Sequence, residues 1–280
     1  MGLAKYLRRK FIAPLTKTID TQTQIVFEAH IREVLRAAPY NQPKRLEPYG
    51  FRSFSQNDED GILQEIFARS GAVSHTFLEF GVQDGRQNNT LLLLLQNWRG
   101  LWIEADSAGC QAIRSSFRTQ LASGQLRLEQ KFVDIDNINA LIDSVGGAEL
   151  DLLSIDVDGN DYWIWKAVQS RPRVVVCEYN AKFRPPVKWV MTYNPQHRWD
   201  FSDYHGASLQ SLANLGGEKG YTLVGCCLAG VNAFFVRDDL VGDRFCQPDV
   251  SALYNPPRYY MQNYLDVGHP LKTLGPFESR

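Results

Sequence analysis

The chain has 280 residues, 30 Lys and Arg against 31 Asp and Glu for a formal charge of −1, and 44% hydrophobic side chains. This length supports a large core, no long Gly, Ser or Pro linker divides it, and the charge balance argues against nucleic acid as the main partner. No apolar run reaches the roughly eighteen residues of a membrane-spanning helix. Cys110, Cys177, Cys226, Cys227 and Cys246 lack paired metal-site spacing. They read as reduced and mostly buried, which implies an intracellular, cytoplasmic protein.

Residues 1–17, MGLAKYLRRKFIAPLTK, interleave Lys5, Arg8, Arg9, Lys10 and Lys17 with Leu3, Tyr6, Leu7, Phe11, Ile12 and Leu15. The pattern suits peripheral contact with an anionic membrane surface, and suits equally a helical arm packed on its own domain or on a second subunit of a homo-oligomer. Pro14 is expected to interrupt it. Ile25, Phe27, Ile31, Val34 and Leu35 predict a helix over 21–37, so residues 1–50 read as a helical extension and loop. The polar loop that begins at Pro39 runs on past residue 50 and carries Arg52, Ser55, Gln56 and Asn57 just before a helix predicted over 58–68 from Ile62, Leu63, Ile66 and Phe67, a place where loops often serve function.

Residues 76–80 form a predicted strand that runs into EFGVQDGRQNNT, with Gly81 and Gly85 flanking the corner before the apolar run 91–95. Glycines there let the backbone approach a ligand, and the helix start offers N–H groups. The third glycine of G-x-G-x-x-G is missing, which disfavours a nicotinamide cofactor. GLWIEA at 100–105 is the next strand and ends in Glu104 and Asp106, about one strand-helix-strand unit on, where an acid can accept from ribose hydroxyls. A helix over 107–119 and a third strand over 126–133 follow, the latter ending in Asp134 and Asp136.

The stretch 150–167, LDLLSIDVDGNDYWIWKA, reads as strand, acidic turn and helix, with Asp156, Asp158 and Asp161 around Gly159. Carboxylates are seldom buried without a partner, so a cation, a polar ligand or backbone N–H donors should face them. Asp158 or Asp161 also suits a cap on the following helix. RVVVCE at 173–178 is a fifth, buried strand ending in Glu178, Tyr179 and Asn180. Acids at successive strand ends place polar groups along one edge of a parallel sheet, where open α/β folds bind ligands.

Residues 181–204 form a predicted irregular insert with two Trp and two Tyr among prolines and basic residues, either a lid over an acceptor or ordinary packing. Lys182, Arg184, Lys188 and Arg198 would suit phosphorylated or nucleotide-linked sugars, or form a solvated face. A helix over 208–219 and a strand pair, 221–227 and 231–237 turning at Gly230, close the domain at about 240. Residues 241–280 read as an irregular wrap.

The order of these pieces resembles the class I S-adenosylmethionine-dependent methyltransferases. Within them, IDVDGNDYWIWKA is similar to the corresponding segment of the FkbM-like enzymes, which often O-methylate sugars or natural products. The resemblance covers residues 55–237 and implies a Rossmann-like fold: a mostly parallel seven-stranded sheet with an antiparallel last strand, forming a catalytic domain over 51–240. It implies S-adenosyl-L-methionine as cofactor, held by Glu79, Gly81, Gln83, Asp84 and Gly85 of EFGVQDG, by Glu104 at the ribose, by Asp134 near adenine and by Asp156. A more distant similarity, to the metal-dependent sugar O-methyltransferases of macrolide and aminocoumarin biosynthesis, implies Mg2+ held by Asp156, Glu178 and Asn180. In those enzymes a pair of acids follows strand five; here Tyr179 and Asn180 follow Glu178 instead. The implied partner is a small-molecule acceptor, a sugar or glycan.

His205, in DYHGASLQ before a helix, is the candidate catalytic base beside Asp156, with His197 competing for the role. Asn232 is a further candidate on the acceptor side. Two other classes fit the same fold: a nucleotide- or sugar-nucleotide-binding enzyme of another kind, and a non-catalytic scaffold whose sheet-edge acids are vestigial.

Overall fold

The computed structural model describes Lys10 and residues 13–261, and the chain divides into two units, Met1–Gln42 and Pro43–Arg280. The first unit carries helix α1, Ala13–Arg36. Pro14 lies in its first turn, where no N–H is required, so the helix runs through the predicted interruption and starts well before 21. Leu15, Ile19, Ile25 and Val26 are exposed on it. Most of the basic and apolar residues behind the membrane expectation lie outside the described residues. Among those described, no helix is long and apolar enough to cross a membrane.

In the second unit, α2 (Glu59–Ser70) leads to β1 (Thr76–Phe80), α3 (Leu91–Leu95), β2 (Arg99–Glu104), α4 (Ser107–Ser116), α5 (Arg118–Ala122) and β3 (Leu126–Gln130). There follow α6 (Ile138–Asp143), β4 (Leu152–Ile155), α7 (Asp161–Ala167), β5 (Val174–Glu178), α8 (Leu209–Lys219), β6 (Tyr221–Cys226) and β7 (Asn232–Arg237). Two short helices, α9 (Asp238–Val241) and α10 (Val250–Leu253), end the described part with a one-turn segment at Tyr259–Met261.

The seven strands form one sheet in the order β3-β2-β1-β4-β5-β7-β6, parallel except for β7, which runs antiparallel to both neighbours. This is the Rossmann-like class I methyltransferase fold, as the resemblance implies. The central strands TFLEF, LLSI and VVVCE are almost wholly buried, which requires the near-continuous apolar runs the sequence shows. Leu78, Ile103, Leu153, Ile155, Val175 and Phe235 face one layer formed by Ile138, Leu141 and Ile142 of α6, Ile164 and Trp165 of α7, and Leu209, Leu212 and Leu215 of α8. Alternate residues of each strand therefore point to the opposite face.

Three local expectations change. β3 stops at Gln130 rather than 133: Lys131 N still donates to Glu104 O at 3.1 Å where β2 ends, and beyond it Phe132 is exposed while Val133 turns into the core. The helix predicted over 107–119 breaks at Phe117, whose fully buried ring sits edge-on against Trp102 at 4.8 Å, giving α4 and α5. α6 is one turn and a half whose buried residues, Ile138, Leu141 and Ile142, are too few for periodicity to identify.

The acids at the start of α2 act as staples. Asp60 Oδ2 accepts from the N–H groups of Ser53, Phe54 and Ser55 at 2.6–2.9 Å, and both Asp58 oxygens accept from Leu228 N. Glu59 accepts from Asn57 N, Asn57 Nδ2 and Asn232 Nδ2, tying the loop to the start of β7. The buried Arg45–Glu47 pair, with Asn255 Nδ2 on Glu47 and Ala252 O on Arg45, fixes residues 45–47 to the C-terminal segment.

Candidate functional site

Strand register aligns the site residues. Glu104 pairs with Gln130 across β2 and β3, and Glu178 pairs with Asn232 across β5 and β7. Ile155 pairs with Cys177, so Asp156 and Glu178 are opposite one step on; Phe80 pairs with Ile103, so Gly81 is opposite Glu104. A single transverse row at the carboxyl edge thus reads Gln130, Glu104, Gly81, Asp156, Glu178, Asn232. All lie on the face away from the α6–α8 layer, because directly opposed residues share a face.

On the β1–β2 side the loop after β1 is held against α4. Gly81 has φ +77°, and a Cβ there would stand 2.1 Å from Asp156 O. Gln83, also left-handed at φ +52°, donates its N–H to Glu104 Oε2 at 2.6 Å, while Asp106 N donates to Glu104 Oε1 at 2.8 Å. Each oxygen of this nearly buried carboxylate keeps a lone pair for a further donor. Gly109 admits the loop, since a Cβ on it would meet Gln83 O at 2.5 Å. Gly85 turns inward onto Trp102, Phe117 and Ile113. Asp84 is half exposed near Arg86, and Asp134 Oδ1 accepts from Asp136 N and Asn137 N at 2.9 Å each, closing the turn after β3.

Glu79 faces inward and is occupied by the fold. It accepts from Asn89 N at 2.8 Å, Ser154 Oγ at 3.2 Å, Thr90 N at 3.1 Å and Thr90 Oγ1 at 2.5 Å. Burial pushes its carboxyl up to about 7 against these donors. The N–H groups at the start of α3, which the sequence suggests for an anion, are taken by Glu79 and by Asn88 Oδ1.

On the β4–β5 side, oxygens of Asp156, Asp161 and Glu178 all lie within 4.8 Å of one another. Asp161, at the first turn of α7, accepts from Val157 N and Gly159 N at 2.9 Å each, so it holds the acidic turn as well as facing it. Asp158 is exposed at φ +54°. Burial first, and then the neighbouring carboxylates, raise Asp156 and Glu178 well above the usual carboxylate range; burial raises Asp161 to about 6. Glu178 Oε2 is buried without a hydrogen-bond partner among the described residues.

Both histidines reach this centre. His205 Nδ1 is 3.9 Å from Glu178 Oε2, and burial holds its pKa below the ordinary value against the pull of Asp158. His197 lies on Gly159, where a Cβ would stand 2.3 Å from its Cδ2, and its Nε2 is buried and unpartnered among the described residues. The insert is stitched over the acidic turn by Asn160 Nδ2 to Asn194 O, Asn194 N to Asn160 Oδ1 and Trp163 Nε1 to Met191 O. The Asn180 amide donates to Asp203 O and His205 O and accepts from Lys182 N at 3.2 Å. Of the four basic residues, Lys182 pairs with Asp203 and Arg184 lies over the Tyr254 ring.

Sequence reading brings Glu104, Gly81, Asp156 and Glu178 together, and it overlooks Gly109 and the seat of His197 on Gly159. The glycine of DGN between two acids was the available signal for that last contact.

No family model matches the chain, and no curated protein matches it. Among solved structures it is similar to an S-adenosylmethionine-dependent methyltransferase from Clostridium acetobutylicum ATCC 824, with 11% identity over 62% of this chain and 89% of that one, TM-score 0.40. It is also similar to an O-methyltransferase family protein from Burkholderia thailandensis, with 12% identity, 62% and 55% coverage and TM-score 0.37. The bifunctional kinase-methyltransferase WbdD gives 15% identity over 65% of this chain and 40% of that longer one, TM-score 0.40. Likeness at this level concerns the fold only.

Proposed function

We propose that the protein is an S-adenosylmethionine-dependent methyltransferase that O-methylates a hydroxyl of a sugar or other polyhydroxylated small molecule, in surface-glycan or natural-product biosynthesis. The observation that carries this reading is the transverse row. It sets Glu104 and the Gly81 loop on one side of the β1–β4 junction, Asp156 and Glu178 on the other, and an unpartnered oxygen between acids and histidines. Glu104, fixed by two backbone N–H groups, suits the ribose hydroxyls, and Asp134 suits the adenine end. Gln83, Asp84 and Gly85 shape the loop, and Glu79 supports it from below.

Methyl transfer moves a carbon from sulfur to oxygen in line, so the chain supplies placement and a group to receive the hydroxyl proton. His205, held below its ordinary pKa beside Glu178, suits that receiver, with His197 across the turn. The oxygens of Asp156, Asp161 and Glu178 fit a hard cation such as Mg2+, because they converge within 4.8 Å and one buried oxygen lacks a donor. Such an ion would lower the pKa of a bound hydroxyl and orient it. Asp161 adds a carboxylate to the set that the distant resemblance gave, and Asn180 Oδ1, which accepts from Lys182 N, keeps a lone pair for the ion.

Thermal melts with S-adenosylhomocysteine, UDP-glucose and GDP-mannose, each with and without Mg2+, test the reading. A shift with S-adenosylhomocysteine that Mg2+ enhances is expected. A shift with a nucleotide sugar and none with S-adenosylhomocysteine assigns the fold to another activity; no shift with any of them favours a scaffold.

A further inference from the structure

The segment 199–204 is built to hold aromatic rings in place while leaving them bare. Trp199 Nε1 donates to Ser202 O at 2.8 Å, Ser202 N to Asp200 Oδ1 at 3.0 Å and Tyr204 N to Ser202 Oγ at 3.3 Å. At the tip, Phe201 has φ +66° and is 85% exposed. A left-handed backbone costs a residue of this bulk about 1 kcal/mol or more, and an exposed ring returns nothing to the core, so neither feature serves the fold. The Phe201 ring meets Trp199 at 4.8 Å, Trp199, itself 38% exposed, meets His205 at 5.6 Å, and His205 meets Glu178. An exposed aromatic surface therefore runs without a break into the acid-histidine centre.

At the inner end of that surface, on and around Glu178, buried polar atoms stand without partners. Glu178 Oε2, His197 Nε2 and, across the ladder from Glu178, Asn232 Oδ1 are buried with no hydrogen-bond partner among the described residues. Asn232 Oδ1 can only accept, whereas the carboxyl and the imidazole nitrogen accept or donate with protonation state and tautomer, so the set calls for a ligand with several groups that do both, as hydroxyls do. A ligand with an apolar ring face and hydroxyls around its edge meets both requirements. A flat catechol would stack as well, but it brings only two hydroxyls to three unpartnered polar atoms.

We propose that Trp199 and Phe201 form the platform on which a pyranose ring of the acceptor stacks, turning its hydroxyls toward Glu178, His197 and Asn232. These two aromatic residues thereby set acceptor specificity. The inference rests on the methyltransferase reading for the chemistry after binding, while stacking itself is measurable without it.

The test uses the full chain with methyl glycosides of glucose, galactose, mannose and rhamnose as probes, and catechol as the flat alternative. Saturation-transfer NMR reads the ring C–H protons and tryptophan fluorescence reads affinity, with S-adenosylhomocysteine binding followed in parallel by calorimetry. At least one glycoside should bind through its ring C–H face. Its Kd should weaken about three- to tenfold in Trp199→Ala and in Phe201→Ala, with Trp199→Phe retaining most of the affinity. S-adenosylhomocysteine affinity should stay unchanged in all three. Phe201→Gly should equal or exceed the wild type in urea resistance, since it removes the strained ring. Glycoside affinity unchanged in both alanine variants would overturn the proposal. So would catechol binding with no glycoside binding, or no glycoside binding by protein that binds S-adenosylhomocysteine. Glycoside binding that the variants weaken, in protein that ignores S-adenosylhomocysteine, would uphold the platform and refute the methyl-donor reading.

Discussion

Replacing Gly81 by alanine should damage the protein far more than the same change at Gly124, and the difference follows from the structure. Both glycines are left-handed, at φ +77° and +72°. At Gly124 nothing lies within 4 Å of the added Cβ, so the penalty is conformational, about 1 kcal/mol. At Gly81 the Cβ would stand 2.1 Å from Asp156 O, a backbone atom that no rotamer change can move. An ordinary C···O contact lies at about 3.3 Å or beyond, so β1 and the turn after β4 must separate by about 1 Å. Overpacking of this kind costs about 1–3 kcal/mol, so Gly81→Ala should lose about 2–4 kcal/mol in total. Urea unfolding of wild type, Gly81→Ala and Gly124→Ala measures the gap as a difference in midpoint at constant slope. The same displacement reaches the Asp156 carboxylate, so Mn2+ affinity should fall in Gly81→Ala and not in Gly124→Ala. Equal midpoints for the two variants would refute the claim that β1 and β4 meet through this glycine.

Asp151→Ala should destabilise by about 3–5 kcal/mol, because it strands a buried set of donors. Asp151 accepts from Val73 N, Ser74 N, Ser74 Oγ and His75 N at 2.6–2.9 Å, with Arg173 at 3.4 Å, and urea unfolding reads the loss. Burial raises Asp58 from its ordinary 3.8 to about 8 and Glu79 from 4.5 to about 7. The folded state therefore binds more protons than the unfolded one across this window. The contribution of these groups is full below about pH 4 and is lost as pH rises through about 7 and 8. Asp58→Asn should accordingly flatten the fall in stability between about pH 5 and pH 8, checked by denaturant unfolding at both ends. Glu178→Gln should reduce Mn2+ affinity at least tenfold by electron paramagnetic resonance titration, on the order of the loss seen when an ion's site is perturbed, while leaving the urea midpoint near the wild type.

Much of the fold was legible because its central strands are covered on both faces. TFLEF, LLSI and VVVCE read as near-continuous apolar runs, and the acids at or just past their ends mark where cover ends. Glu104, Asp156 and Glu178 were legible for the same reason, a charge at the end of a buried run. What the sequence hid depends on long-range contacts. Glu79 sits in the glycine-loop motif like a ligand-binding acid, yet Asn89, Thr90 and Ser154 use up its acceptor sites. The amide nitrogen of Asn180, two residues after Glu178, is fixed by the insert, where it donates to the Asp203 and His205 carbonyls. Asp161 joins the cluster only because the turn at Gly159 folds α7 back over the strand end. The buried acids Asp58, Glu59 and Asp60 serve largely as staples, a role set by partners as distant as Leu228 and Asn232.

The central claim is that Glu104 and the Gly81 loop hold the methyl donor while Asp156 faces the reaction. Calorimetric titration of S-adenosylhomocysteine into wild type, Glu104→Ala and Asp156→Ala, with and without Mg2+, tests it most directly. Micromolar binding that Glu104→Ala abolishes is predicted, together with a Mg2+-dependent component that Asp156→Ala removes. Absence of binding to folded wild-type protein, or binding that Glu104→Ala leaves intact, would contradict it.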